Sequence, residues 1–259
     1  QEWVEKPSYA SEKNRIIAML QAASGFRHMY ESGFEGHGDI KPSNILFSDL
    51  REEWNLSQPK IIDEHPFKIV ISDYGWADAW VDYKGLTNKA LRQYMAPERF
   101  GGSFIPIKSD IFSIGIVLAE IIQCRHPAKN INKYLQSEGK AKKIIENKDW
   151  DLSGIESKKI KDLVFACLNL NPEERPSIDE LITALKLELK VNYKLDNYLD
   201  YLNTCQETYK ENRNERLGWA SQSTTKLSEK ERNRTLIDLK SAIQKINVID
   251  FVHLEEWSF

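Results

Sequence analysis

Residues 111–122 read IFSIGIVLAEII, the longest apolar stretch in a chain of 259 residues. A bilayer takes about 20 apolar residues to cross, and this shorter run is broken by Glu120. It reads as a buried helix, part of a helical segment 109–124, and no membrane span is expected. The rest of the fold has to cover such a helix, and the candidates are found by their period. Residues 11–32 carry apolar side chains at 16, 20, 23, 26 and 30, which is helical spacing, with Ser11 placed to cap it. Residues 155–170 and 177–190 read as helices too. The second of these opens with SIDE (177–180), which sets Ser177 at the N-cap and Glu180 three residues on, a capping box.

Only two short segments read as strands, NILF (44–47) and FKIVIS (67–72). The polar, proline-containing stretch between them reads as a long loop or insertion. Residues 73–108 mix glycine, proline and polar residues with little period. The expected class is mainly α, with short β-hairpins. Residues 191–259 differ in character. A Tyr/Leu-striped helix, a polar loop over 214–227 and an amphipathic helix over 228–246 read as a helical extension packed on a domain of residues 1–190.

Lys and Arg number 36 against 39 Asp and Glu, a net charge of −3 with no basic excess to draw nucleic acid. Cys124, Cys167 and Cys205 lie far apart, and the first two fall at or in apolar helical stretches. They read as reduced, buried thiols of an intracellular, cytoplasmic protein. The chain begins at Gln1 without a signal peptide, as a fragment of a longer protein would.

The polar chemistry concentrates in FEGHGDIKPSNILF, residues 34–47. An acid, a lysine and an amide (Asp39, Lys41, Asn44) share one short loop that opens into an apolar strand. A rigidly based loop can aim several polar side chains at one ligand. An Asp that accepts a hydroxyl proton, a Lys that holds a phosphoryl group and an Asn that binds a metal suit phosphoryl transfer. A second metal carboxylate is then needed, and VISDYGWA (70–77) supplies Asp73 at a strand end before Gly75.

These residues resemble a known family. HGDIKPSN is similar to the catalytic loop of eukaryotic-type protein kinases, and DYG (73–75) to their metal-binding DFG triplet. YMAPE (94–98) resembles the end of the family's activation segment, KSDIFSIG (108–115) the start of its large buried helix, and NPEERPS (171–177) the arginine-bearing turn before its last core helix. A lone HxDxxxxN is weak evidence; five motifs in the family's order are not. The resemblance covers about residues 1–190 and implies the carboxy-terminal lobe of a Ser/Thr protein kinase, mainly helical with short β-hairpins at the cleft. It implies ATP and Mg²⁺ as cofactors and a protein as substrate, with Lys41 typical of the Ser/Thr branch. Asp39 would be the general base and Lys41 would neutralise the transferring phosphoryl group. Asn44 and Asp73 would hold Mg²⁺. Glu2 and Val4 would meet the adenine from a hinge, Ser43 would join the nucleotide contacts, and Leu46 would lie under the adenine while also packing in the core. His37 and Tyr74 read as structural. Glu98 and Arg175 would form the family's buried ion pair, and Asp110 would accept backbone N–H bonds from the catalytic loop.

The sequence departs from the family pattern in places. No glycine-rich loop and no strand lysine precede Asp39, where the only lysines are Lys6 and Lys13, so the missing amino-terminal lobe is expected from the same, longer protein. Gly38 stands where many relatives carry an arginine that binds a phosphorylated segment, so phosphorylation of Thr87 is not expected to be required. Leu91 stands where a threonine is usual. Two rival readings follow. One is a pseudokinase or scaffold that binds protein partners without chemistry, which Leu91 favours. The other is a small-molecule kinase, whose loop is often written His-Gly-Asp.

Overall fold

The computed structural model describes residues 11–49, 67–73, 93–101, 105–134 and 137–196. Glu2, Val4, Tyr74, Thr87, Leu91 and Cys205, and nearly all of the expected extension, lie outside the described residues.

Helix α1 (Glu12–Glu31) begins where Ser11 accepts the backbone N–H of Asn14, and its central face is buried from Ile16 to Phe26. A short 3₁₀ turn (Pro42–Asn44) then leads into strand β1 (Ile45–Asp49), which pairs antiparallel with β2 (Phe67–Ile71) in the register Ile45↔Ile71 and Phe47↔Ile69. The fold is mainly helical, and this is the one sheet among the described residues. Gln21, buried on α1, ties the hairpin down: Ile69 N–H donates to its Oε1 at 2.8 Å, and its Nε2 donates to Phe67 O at 3.4 Å. A polar side chain is tolerated there because both ends of its amide are satisfied by a strand edge.

The apolar run forms α2 (Lys108–Gln123), buried from Ser109 to Ala119. Helix α1 and the later helix α5 (Lys158–Cys167) both pack on it. α5 starts three residues later than its apolar pattern suggests, where Ser157 accepts the N–H of Ile160. The last described helix, α6 (Ile178–Tyr193), packs along α1 and carries the capping box, with Ser177 N–H donating to Glu180 at 2.7 Å. Two short helices were not anticipated: α3 (Ile131–Tyr134) and α4 (Glu138–Glu146). Of the two thiols described, Cys167 is buried as expected, and burial pushes it up to about 12, too high to be reactive near neutrality. Cys124 is exposed instead. It sits in the left-handed conformation (φ 58°) that ends α2, where the chain turns out of the core.

Candidate active site

The segment around residues 37–44, the candidate catalytic loop, is built on Asp110, the third residue of α2. Its carboxylate accepts the N–H of His37 at 2.5 Å and of Gly38 at 3.0 Å, and the Tyr30 hydroxyl at 3.1 Å. The loop is thereby pinned to the buried helix, as the resemblance implied for Asp110. Gly38 has φ 75°, a conformation costly to a side-chain-bearing residue, which lets both successive N–H groups reach one carboxylate. His37 is fully buried and structural: its Nε2 donates to Ser72 O at 2.9 Å, while Nδ1 accepts the N–H of Asp39 at 3.3 Å. One ring thus joins the loop to the end of β2.

Three of the expected residues come together. Lys41 Nζ lies 2.6 Å from Asp39 Oδ2, and Asn44 Nδ2 donates to the same oxygen at 3.2 Å and to Asp39 O at 2.9 Å. Lys41 was expected to face a phosphoryl group, and in the structure it partners Asp39. A 2.6 Å ion pair with both side chains partly exposed leaves the ammonium able to serve a second anion nearby.

Asn44 is buried, and Asp73 is exposed at φ 58°, in the left-handed region that Asp tolerates better than most residues. Ser72, next to Asp73, donates its N–H to Asn44 O at 3.0 Å, so the two candidate metal residues are held on adjoining backbone. The bonds of the Asn44 amide nitrogen to a carbonyl and a carboxylate fix its orientation and turn its Oδ1 elsewhere. An amide oxygen and a carboxylate form a hard-oxygen pair that fits Mg²⁺, an ion that keeps waters and takes phosphate oxygens for the rest of its shell. Among the described residues, no group of three or more His, Cys, Asp or Glu is arranged for a metal. Ser43 is exposed beside them.

Leu46 corrects an expectation. It is 47% exposed, so it does not pack in the core. Its neighbours Ile45 and Phe47 lean on the core, and the alternation of β1 turns Leu46 away from it.

Opposite the loop runs the segment 93–101. Glu98 meets Arg175 in a fork of 2.7 and 2.9 Å bonds, and Ser109 donates to Glu98 at 2.8 Å. Arg175 is 2% exposed and also donates to Asn169 O and Lys108 O. Burial pushes the Glu98 carboxyl up, but the guanidinium, together with backbone and Ser109 bonds, carries it below the ordinary value of 4.5. Tyr94 is buried with its ring edge-on to His126, and its hydroxyl meets the Glu120 carboxylate. Tyr134 donates to Met95 O at 2.6 Å. One residue was missed altogether: Arg99, whose Nη1 donates to Gly38 O. A small pocket lies between loop and segment, lined by Asp39, Ile40, Tyr94, Met95 and Arg99 among others.

Comparison with known proteins agrees with this architecture. The family model of the protein kinase domain matches residues 1–185. A probable LRR receptor-like protein kinase of Arabidopsis thaliana is 24% identical over 76% of this chain and 23% of its own length. The dual specificity mitogen-activated protein kinase kinase hemipterous of Drosophila melanogaster is 31% identical over 62% of this chain and 13% of its own. Mitogen-activated protein kinase kinase kinase 7 of the same organism is 29% identical over 76% and 26%. The chain therefore spans about a quarter or less of the length of these curated relatives. With the family model matching well over half of its length, the chain belongs to the protein kinase domain family.

Proposed function

We propose that this chain is the carboxy-terminal lobe of an ATP- and Mg²⁺-dependent Ser/Thr protein kinase, transferring the γ-phosphate of ATP to hydroxyls of protein substrates in a reducing, cytoplasmic setting. The lobe would occupy residues 1–190, with 191–259 as a helical extension. The observation that carries the reading is the convergence of Lys41 and Asn44 on one oxygen of Asp39, at the mouth of a hairpin whose second strand ends two residues before Asp73.

In that reading Asp39 orients the substrate hydroxyl and takes its proton on a carboxylate oxygen as the hydroxyl oxygen bonds to the γ-phosphorus and the bond to ADP breaks. Lys41 holds Asp39 in place and offsets negative charge on the phosphoryl oxygens. Asn44 and Asp73 would hold Mg²⁺, which neutralises phosphate charge when bound. Glu2, Val4, Ser43 and Leu46 would meet the nucleotide, and the remaining phosphate contacts would come from an upstream lobe. Most of the catalytic effect is positioning, which is why so many of these residues are tied to one another or to α2.

In the full-length protein, Asp39→Asn should lower kcat at least about a hundredfold, the lower end of a general-base contribution. Asp73→Ala should abolish Mg²⁺-dependent nucleotide binding, read by calorimetry. Wild-type values for both variants would reject the assignment and favour the scaffold reading that Leu91 invites.

A further inference from the structure

Glu98 and Arg99 are adjacent, yet they are committed to different parts of the molecule. They lie in a 3₁₀ turn (Pro97–Gly101), whose three residues per turn set successive side chains about 120° apart. Glu98 therefore turns to Arg175 and Ser109 on the helical side. Arg99 turns the other way and donates from Nη1 to the carbonyl of Gly38. That carbonyl belongs to the peptide group that continues into Asp39. On its other side, Gly38 gives its N–H to Asp110. The glycine next to the proposed base is thus gripped at both polar ends, by an anion on α2 and by a cation on the 93–101 segment.

Three carboxylates surround this seat. Burial works against the charge of Arg99 and lowers its proton affinity below the ordinary value, and the nearby carboxylates of Asp110, Asp39 and Glu98 offset part of that cost. A guanidinium suits the position because it stays charged and presents several N–H donors in a fixed plane, so it can serve a carbonyl and nearby carboxylates together. Gly38 has no side chain with which to hold the segment, and here the bond runs in the reverse sense, from the segment to the loop backbone.

We propose that Arg99 is a positioning residue for the phosphoryl-transfer reaction: its bond to Gly38 O sets the catalytic-loop backbone that carries Asp39, without a phosphate group on the segment. This rests on the function proposed above. It predicts a kinase whose loop is ordered by its own sequence. Substitution of Arg99 should affect the chemical step more than nucleotide binding, because the Asn44 side chain bonds to Asp39 but its backbone is also held from the β2 side, where Ser72, next to Asp73, donates to Asn44 O.

The test compares Arg99→Gln and Arg99→Lys with wild type in the full-length protein, with two independent readouts. The first is steady-state kinetics. Arg99→Gln should lower kcat at least tenfold with the KM for ATP changed less than threefold, and Arg99→Lys, which restores a cationic donor, should recover most of the loss. The second is amide hydrogen exchange at His37 and Gly38, which needs no activity. Exchange there should speed at least tenfold in Arg99→Gln and return toward wild type in Arg99→Lys. Should Arg99→Gln fail to fold, the lysine variant decides alone: folded with near-wild-type kcat and protection supports the role, and folded with neither overturns it. Unchanged kcat in Arg99→Gln also overturns it, whatever the exchange shows. A wild-type protein without kinase activity would sink the proposed function. The exchange readout would then still report whether Arg99 holds the loop, and unchanged exchange would overturn that as well.

Discussion

Arg175 shows how much one side chain can be asked to do. It is buried, forks onto Glu98, donates to two backbone carbonyls, and its guanidinium lies 5.0 Å from the centre of the Phe112 ring. Removing it with Arg175→Ala strands a largely buried carboxylate, and such losses run to about 3–5 kcal/mol. Urea unfolding should show a drop of that size. Glu98→Gln tests the same pair from the other side, through pH. The folded-state value of Glu98 lies below the ordinary 4.5, so its contribution is present above that pH and fades as pH falls through the folded value. The stability gap between wild type and Glu98→Gln should therefore be widest near neutrality and shrink below pH 4.5; a gap that is constant down to pH 3 would mean the carboxylate's charge is not what Arg175 holds. Most of the pairings at this scale were legible through motifs: Asp110 under the loop, Glu98 with Arg175, Asn44 beside Asp39. Arg99 and Gln21 were not. Their partners are 61 and 46–48 residues away and are backbone groups, which carry no residue-type signature in a sequence.

Helices α2 and α5 touch where α2 has Gly115. A Cβ built there would stand 2.5 Å from Cys167 Cβ and 3.4 Å from Leu168 Cδ2. Because Cys167 Cβ is fixed to the backbone of α5, the contact can be relieved only by moving a helix. Overpacking of this kind costs about 1–3 kcal/mol, more than the helix-propensity gain of up to about 1 kcal/mol from Gly to Ala. Gly115→Ala should accordingly lower the thermal midpoint, against the sign that propensity alone would give. A second element-scale effect concerns the turn after α2. His126 donates from Nε2 to Gln93 O at 2.9 Å and accepts the Ala128 N–H on Nδ1 at 3.1 Å, so it packs as the neutral ring. Burial lowers its proton affinity below the ordinary 6.5, only partly offset by the Gln93 carbonyl. The unfolded chain then binds the proton more readily, and stability is lost as pH falls from 6.5 toward the folded value. Melting at pH 7.5, 6.0 and 5.0 should show this loss in wild type, and His126→Gln should flatten it. The helices α1, α2, α5 and α6 could be read from period and caps. α3 and α4 went unread because four and nine residues give little period, although Ser137 caps α4 and its Ala141, Ile144 and Ile145 are buried.

Across the whole molecule, the core and the candidate site meet along one line, from α2 through Asp110 to the loop and hairpin. Most large apolar side chains described are buried, and Leu46 is one of four that are exposed, with Phe165, Leu187 and Val191; alone among them it lies on the hairpin beside the candidate site, with 47% of its surface exposed between packed neighbours. The apolar period of NILF announced a strand, yet it could not say which residues would face outward, because a short run leaves both faces apolar. If the nucleotide base rests on Leu46, the residue belongs to a binding surface and contributes little to folding. Leu46→Ala in the 259-residue chain should then change unfolding free energy by no more than about 0.5 kcal/mol, the range for surface substitutions. In the full-length protein the same change should raise the KM for ATP about fivefold or more, a loss on the order of 1 kcal/mol, with kcat little affected because the contact is made equally in the ground and transition states. A stability loss above 2 kcal/mol would return Leu46 to the core, and an unchanged KM would place the adenine elsewhere on the hairpin.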